Sequence, residues 1–236
     1  AEDGRSIPLE HLEFQLNEFD DTALEQALQI VEGLGGGEVV AVTVGPEDAE
    51  ATLRRALAKG AHRAVRLWHD DLIEAEPVTV ARLLAGLVAA EQPDLVITGV
   101  MSSDRANGAT GMLLAGILDL PHAAVVVATE WDGGDRMTVT RELEGGLRHK
   151  FRMAVPAVLS IQVGANTPRY ATMRMIKDAR NKPLAEVSCD ALNGASAGAV
   201  VRRMYVPPVR RAEMLAGDAN EIAAAVARIV REKRGA

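Results

Sequence analysis

Apolar residues in the first 120 positions alternate between two spacings. Leu24, Ala27, Leu28 and Val31 recur at helical spacing and predict a helix over 20–34. The β-branched run at 38–44 predicts a strand buried on both faces. The same reasoning continues with helices over 46–59 and 77–91 and strands over 63–68 and 94–99. Strict strand–helix alternation predicts an α/β fold in which helices cover both faces of a parallel sheet.

The pattern changes after Pro121. Residues 123–130, 136–143 and 147–162 are predicted to be three β segments, separated by the glycine turns at 132–135 and 145–146. The second hairpin is expected at the sheet edge or beyond it. Residues 189–211 lack periodicity and indicate a surface segment, while Asp218 and Glu221 have the spacing of a capping box that opens a terminal helix. That helix would pack on its own domain or on a partner.

Composition excludes several classes of protein. An apolar content of 48% and a charged content of 25% are typical of a soluble globular chain. Only 3% aromatic residues and a net charge of −7 argue against a nucleic-acid partner. The single cysteine, Cys189, fits a reducing compartment. No run is long enough to span a membrane and no secretory signal is evident, so a cytoplasmic or mature organellar protein is expected.

The charge is unevenly distributed. Residues 166–211 contain nine Lys or Arg and three Asp or Glu, a local net charge of +6, so the remainder carries −13. This distribution suits docking on another protein, although a basic segment is also often just a solvated face.

The segment 94–122 carries the strongest functional signal. An apolar strand runs into a small polar loop, which runs into an apolar helix. Ligands of open α/β sheets bind beyond the carboxyl ends of strands, and the first turn of a helix attracts anions. A nucleotide or phosphate site and an ordinary connecting loop are both compatible with these small or hydroxylated residues: Ser102, Ser103, Asn107, Gly108, Thr110 and Gly111.

Other candidate motifs are weaker. The GLGGG string at 33–37 follows a helix and precedes a strand, which predicts a connector rather than a phosphate loop. Asp104 could bind a ribose or act as a base, but a helix cap is favoured. Arg169 could contact a carboxylate or phosphate, or lie in a surface turn. The histidines lack metal-ligand spacing and no catalytic dyad can be assembled, so no metal site and no enzyme activity are predicted.

The chain resembles the β (small) subunit of electron transfer flavoproteins over nearly its whole length. GVMSSD, LPHAAVV and VRRMYVP are closest to the bacterial type that serves trimethylamine dehydrogenase. The matching stretches are LNEFDDTALEQAL at 16–28, VVAVTVGPEDAEATLRRALAKGAHRAV at 39–65, DLVITGVMSSDRANGATG at 94–111, RELEGGLRHK at 141–150, PAVLSIQVGANTPRYATM at 156–173 and KDARNKPLAEVS at 177–188.

The resemblance implies a Rossmann-like domain of the adenine nucleotide α-hydrolase-like type with an added β-hairpin. It also implies an α subunit that holds most of the FAD, and a structural AMP bound in this chain. Phe19 is implied to approach the flavin. The implied AMP-site residues are Asn17, Glu18, Phe19, Asp20, Ala41, Val44, Ser102, Ser103, Asp104, Arg105, Ala106, Asn107, Gly108, Ala109, Thr110, Gly111, Met112 and Leu113.

The resemblance further implies a nucleotide-binding domain at 1–188 and a partner-recognition loop and helix at 189–236, in which Leu192 anchors flavin dehydrogenases. A bacterial, cytoplasmic electron carrier is expected. The family's usual first strand has no counterpart here, which would affect nucleotide affinity and the sheet. Two alternatives remain open: a bifurcating subunit with a second FAD and an NADH contact, and a stand-alone nucleotide-binding module of the universal-stress type.

Overall fold

The structure is a computed structural model that describes residues 4–5, 7, 12–68, 72, 75–188, 202–208, 212 and 214–234. It divides into two compact units, a large one over 10–200 and a small one formed by 1–9 and 201–236. The large unit contains every strand that the structure describes, and these strands carry the candidate site.

The predicted helices and strands of the first 120 residues are confirmed. The GLGGG string joins a helix to a strand, as predicted. The elements of the large unit are α1 (Glu18–Gly33), β1 (Val40–Val44), α2 (Glu50–Lys59), β2 (Arg63–Trp68), α3 (Pro77–Glu91), β3 (Leu95–Gly99), α4 (Thr110–Leu118), β4 (His122–Glu130), β5 (Arg136–Glu142), β6 (Arg148–Ala154), β7 (Ala157–Ile161), α5 (Met173–Ala179) and β8 (Leu184–Ser188).

The prediction of one β segment over 147–162 is wrong. The predicted segment is interrupted at the Val155–Pro156 peptide bond, which is cis, and Pro156 has no N–H to donate to a neighbouring strand. The first half of the segment, β6, pairs with β5, whereas its second half, β7, runs between β3 and β4. The sequence also failed to predict α5 and β8.

The strands form two sheets rather than the single predicted sheet. The order is β1-β2-β8, all parallel, in one sheet and β3-β7-β4-β5-β6 in the other. In the second sheet β3, β7 and β4 are parallel, and the antiparallel hairpin β5–β6 lies at the edge, as predicted. Parallel strands flanked by helices confirm the Rossmann-like α/β class.

Two helices bridge the sheets from opposite faces. In α1, Ala23 packs in the core cluster of β4, β5 and β7, while Leu28 packs with α2 and the start of β1. In α3, Leu83 packs on β2, and Ala85 packs on α4 and β3. The strands β1 and β3, each at an edge, are only half-buried for the most part, whereas every residue of β7 is buried. Helix packing therefore holds the two sheets together.

Among the described residues of the small unit, one helix is present, α6 (Ala219–Arg234). The predicted capping box is confirmed: the Asp218 carboxylate accepts from the Glu221 N–H at 2.9 Å, and the Glu221 carboxylate accepts from the Asp218 N–H at 2.9 Å. The apolar side chains of Val226, Ile229 and Val230, which recur at helical spacing on α6, are exposed. Among the described residues, no helix has the length and hydrophobicity needed to cross a membrane.

An ionic clamp holds the segment after β7 on α1. The Arg169 guanidinium donates to the carboxylates of Glu25 and Glu32 at 2.7–3.0 Å, and its backbone N–H donates to Glu25 at 3.1 Å. The Asn166 amide donates to the Thr22 carbonyl and the Gln26 side chain. Burial raises the pKa of Glu25, but the hydrogen bonds from Arg169 and Gln29 outweigh it, so the net pKa is lowered.

Among the described residues no strand pairs with the outer edge of β1, which predicts a contrast in amide hydrogen exchange. The Gly45 N–H donates to the Leu67 carbonyl, so alternate residues of β1 face β2, whereas the Val42 N–H faces the outer edge. We expect the Val42 amide to exchange at least about tenfold faster than that of Thr43, because a strand bond protects only the latter. Exchange monitored by NMR measures both, and equal protection would contradict the two-sheet pairing.

Removing the clamp is expected to destabilise the large unit. The Arg169→Ala variant leaves the Glu25 carboxylate, of which 6% is exposed, without its cation. We expect a loss of about 3 kcal/mol in the free energy of unfolding at pH 7, measured by urea denaturation. A matched control is Arg174→Ala, since Arg174 is 91% exposed and lies 3.7 Å from Asp178. The control should cost less than about 0.5 kcal/mol.

The stabilisation by the clamp has a defined pH dependence. Because the pKa of Glu25 is lower in the folded chain, its contribution is complete above the unfolded pKa of about 4.3 and is lost as the pH falls through the folded value. The stability difference between wild type and Arg169→Ala should therefore shrink below that pH. A difference that stays constant down to acid unfolding would contradict this role of Glu25.

Candidate functional site

The amino-terminal end of α1 is fastened to the loop after β3. The Asn17 side chain donates to the Met101 carbonyl at 2.8 Å and accepts from the Ser103 N–H at 3.3 Å. The Asp20 carboxylate accepts from the Gly99 N–H at 2.9 Å and from the Asn17 side chain at 2.8 Å. Two segments that are distant in the sequence, 17–20 and 99–103, therefore form one surface at the carboxyl end of β3.

Two glycines allow this close approach. A Cβ atom on Gly99 would lie 2.7 Å from the Cβ of Phe19, and one on Gly111 would lie 2.5 Å from the Thr98 hydroxyl oxygen. That oxygen is buried and has no hydrogen-bond partner among the described residues. Sequence reasoning missed Gly99 and Thr98, although a glycine that ends an apolar strand is a signal for close backbone approach.

The loop reaches α4 through strained backbone and leaves the helix uncapped. Ala106 and Gly108 have positive φ angles of 50° and 58°. The residue before the first turn is Ala109, whose side chain cannot cap a helix. The expectation that Asp104 caps the helix is therefore wrong, because α4 begins six residues later. Within the described part of the chain, no side chain caps the first-turn N–H groups of α4, which favours an anion there.

Asp104 instead organises the loop itself. Its carboxylate accepts from the Arg105 N–H at 2.6 Å, and a hydrogen bond from the Ser102 hydroxyl is the main cause that lowers the pKa of Asp104. The Asp104 side chain is therefore an anion at neutral pH. An anion accepts hydrogen bonds from hydroxyl or amino groups and repels a phosphate, so it suits the sugar or base of a nucleotide.

The structure places the other predicted site residues as follows. Glu18 and Phe19 lie in the first turn of α1 next to the loop, and Met112 and Leu113 lie in the first turn of α4. Ala41 packs in the cluster of α1 and α2, whereas Val44 packs in the cluster of β2 and α3. These two side chains lie on opposite faces of β1 and cannot line the same wall of a pocket. Leu192 lies outside the described residues.

Arg169 does not reach this loop, because α1 carboxylates occupy its guanidinium. Of the two readings of the sequence, a carboxylate contact and a surface turn, the carboxylate contact is therefore correct. In the part of the chain that the structure describes, no group of three or more His, Cys, Asp or Glu side chains could hold a metal ion. The described residues around the start of α4 thus offer backbone donors, hydroxyls and the Asp104 carboxylate.

The comparisons with known proteins agree on one family. Residues 7–192 match the model of the electron transfer flavoprotein domain. The electron transfer flavoprotein subunit beta of Methylophilus methylotrophus is 42% identical, over 100% of this chain and 92% of the relative. The subunit beta of Bradyrhizobium diazoefficiens is 36% identical, over 78% of this chain and 72% of the relative.

A eukaryotic relative shows the same likeness. The mitochondrial subunit beta of Oryza sativa subsp. indica is 34% identical, over 93% of this chain and 87% of the relative. The matched segment includes α1, the loop after β3, the start of α4 and the Arg169 clamp. The chain therefore belongs to the electron transfer flavoprotein family, among the proteins named as its beta subunits.

Proposed function

We propose that this chain is the β subunit of a heterodimeric electron transfer flavoprotein. In this role it binds AMP structurally, completes the FAD site of an α subunit and docks flavin dehydrogenases as electron donors. The observation that carries the proposal is the surface at the carboxyl end of β3, where α1, the β3 loop and the uncapped start of α4 are joined. The chain carries electrons in the complex and catalyses no reaction itself.

The residues at the start of α4 fit an AMP. Its phosphate would accept from the N–H groups of the first turn and from the Thr110 hydroxyl, with the helix dipole adding to the attraction. The Asp104 anion would accept from a ribose hydroxyl. The buried Thr98 hydroxyl, which has no partner in the described part of the chain, is a further group that a ligand or a bound water could satisfy.

Three further observations support contact with a flavin and with an α subunit. Phe19 is half-buried at the joined surface, and we propose that it contacts FAD held mainly by the α subunit. The relatives are named subunit beta, and a beta subunit implies a companion. The exposed stripe of Val226, Ile229 and Val230 on α6 suits packing against another chain. Leu192 is proposed as the anchor for dehydrogenases.

The nucleotide content of the heterodimer tests this function. The chain is co-expressed with its α subunit, and the nucleotides released on denaturation are quantified by mass spectrometry. We expect one AMP and one FAD per heterodimer, because one anion site and one shared flavin pocket are proposed. Two FAD and no AMP would support the bifurcating subunit instead, and a homodimer without an α partner would support the stand-alone module.

Loosening the joined surface is expected to weaken AMP binding. The Asn17→Ala variant removes the side chain that holds both the Met101 carbonyl and the Ser103 N–H. We expect AMP affinity to fall about thirtyfold, since the two hydrogen bonds contribute about 1 kcal/mol each. Equilibrium dialysis of the heterodimer with labelled AMP measures the change.

The control for this variant is Asn181→Ala, which removes an exposed asparagine that follows α5. It should leave AMP affinity within about twofold of wild type, inside the usual effect of a surface substitution. Equal AMP affinity in Asn17→Ala and Asn181→Ala would contradict a nucleotide site at the loop after β3.

A further inference from the structure

A group of exposed apolar side chains follows Arg169 in the sequence. Tyr170 follows the clamp directly and is 92% exposed, and Met173 in the first turn of α5 is 81% exposed. Ile176, one turn further along the same helix, is 44% exposed. We call these three residues the α5 patch. Single exposed apolar residues are common, but here Met173 and Ile176 share one face of α5 and Tyr170 lies just before its first turn, so three apolar side chains are exposed within seven residues.

The α5 patch is held rigidly. Arg169 is tied to Glu25 and Glu32 by its guanidinium and its backbone N–H, and the Thr172 hydroxyl caps α5 by accepting from the Met175 N–H at 3.3 Å. At the end of α5, Ala179 is buried, and its carbonyl accepts from the Arg54 guanidinium at 3.1 Å. An aromatic side chain that is already held in place loses little conformational entropy on binding. Aromatic residues of this kind often contribute most of the binding free energy of an interface.

The charge around the α5 patch selects the partner. Lys177 and Arg180 are exposed, and neither forms an ion pair with another described residue. Within residues 166–188, the described part of this segment in the large unit, five Lys or Arg stand against two Asp or Glu, a net charge of +3. A partner that covers the patch must therefore offer an apolar pocket with an acidic rim. The patch also leads into β8, the edge strand that precedes the proposed anchor Leu192.

We propose that the α5 patch is a second docking element for the dehydrogenase that reduces the flavoprotein, and that it inserts into an apolar pocket rimmed by carboxylates. The inference rests on the proposed function and extends the docking surface beyond Leu192. A small apolar anchor with a basic rim suits a transient complex, because charge accelerates encounter and a limited area permits release.

Stopped-flow reduction of the heterodimer tests the inference, with reduced trimethylamine dehydrogenase as the probe. In Tyr170→Ser and Met173→Ser we expect the dehydrogenase concentration for half-maximal rate to rise about tenfold, as for an interface hot spot, with unchanged FAD content. Lys177→Glu should weaken the dependence of the rate on salt concentration. The matched control is Leu147→Ser, at the tip of the β5–β6 hairpin, where a 67% exposed leucine is removed.

The outcomes are distinct. Tyr170→Ser and Met173→Ser rates within about twofold of the Leu147→Ser control would overturn the inference. Loss of FAD or of the α subunit in these variants would also overturn it, because the patch would then belong to the subunit interface. A wild-type heterodimer that accepts no electrons from the dehydrogenase would contradict the proposed function and this inference together, whereas failure of the patch alone leaves the wild type active.

Discussion

The position of α1 is the constraint on which the rest of the structure depends. Its first turn is fixed to the loop after β3 through Asn17 and Asp20, and two turns later Glu25 holds Arg169. Between these anchors its apolar face packs on both sheets. Because no described strand joins the two sheets, α1 sets their spacing from one face, with α3 on the other, and α1 thereby fixes the position of the β3 loop relative to β1.

The two anchors of α1 differ in physical character. Asn17 and Asp20 lie near solvent and bind backbone groups, so they order a loop at modest cost in free energy. Glu25 is almost fully buried, so its carboxylate requires the arginine that neutralises it. The first anchor shapes the surface proposed for AMP, and the second presents the α5 patch. The start of α1 therefore positions one proposed binding surface, and the later part of the same helix positions the other.

Sequence reasoning identified the long elements correctly but missed the short ones. Helix α5 has seven residues and would not persist alone, because helix nucleation is unfavourable. In the folded chain, α2 packs against it, and Arg54 and Lys182 bind the carbonyls at the ends of the two helices. The break at Val155–Pro156 was misread because the β propensity is continuous on either side of it, while the two halves pair with different strands.

The sequence by itself determined the α/β class, the strand–helix alternation of the first 120 residues, the capping box of α6 and the family, because each depends on local spacing or on motif identity. Only the tertiary structure decided that the strands form two sheets, that Arg169 is bound by two carboxylates of α1, and that Gly99 must be glycine. Each of these depends on contacts between residues far apart in the sequence, such as Gly99 with Phe19. Such pairings carry no signal in the local pattern of either partner.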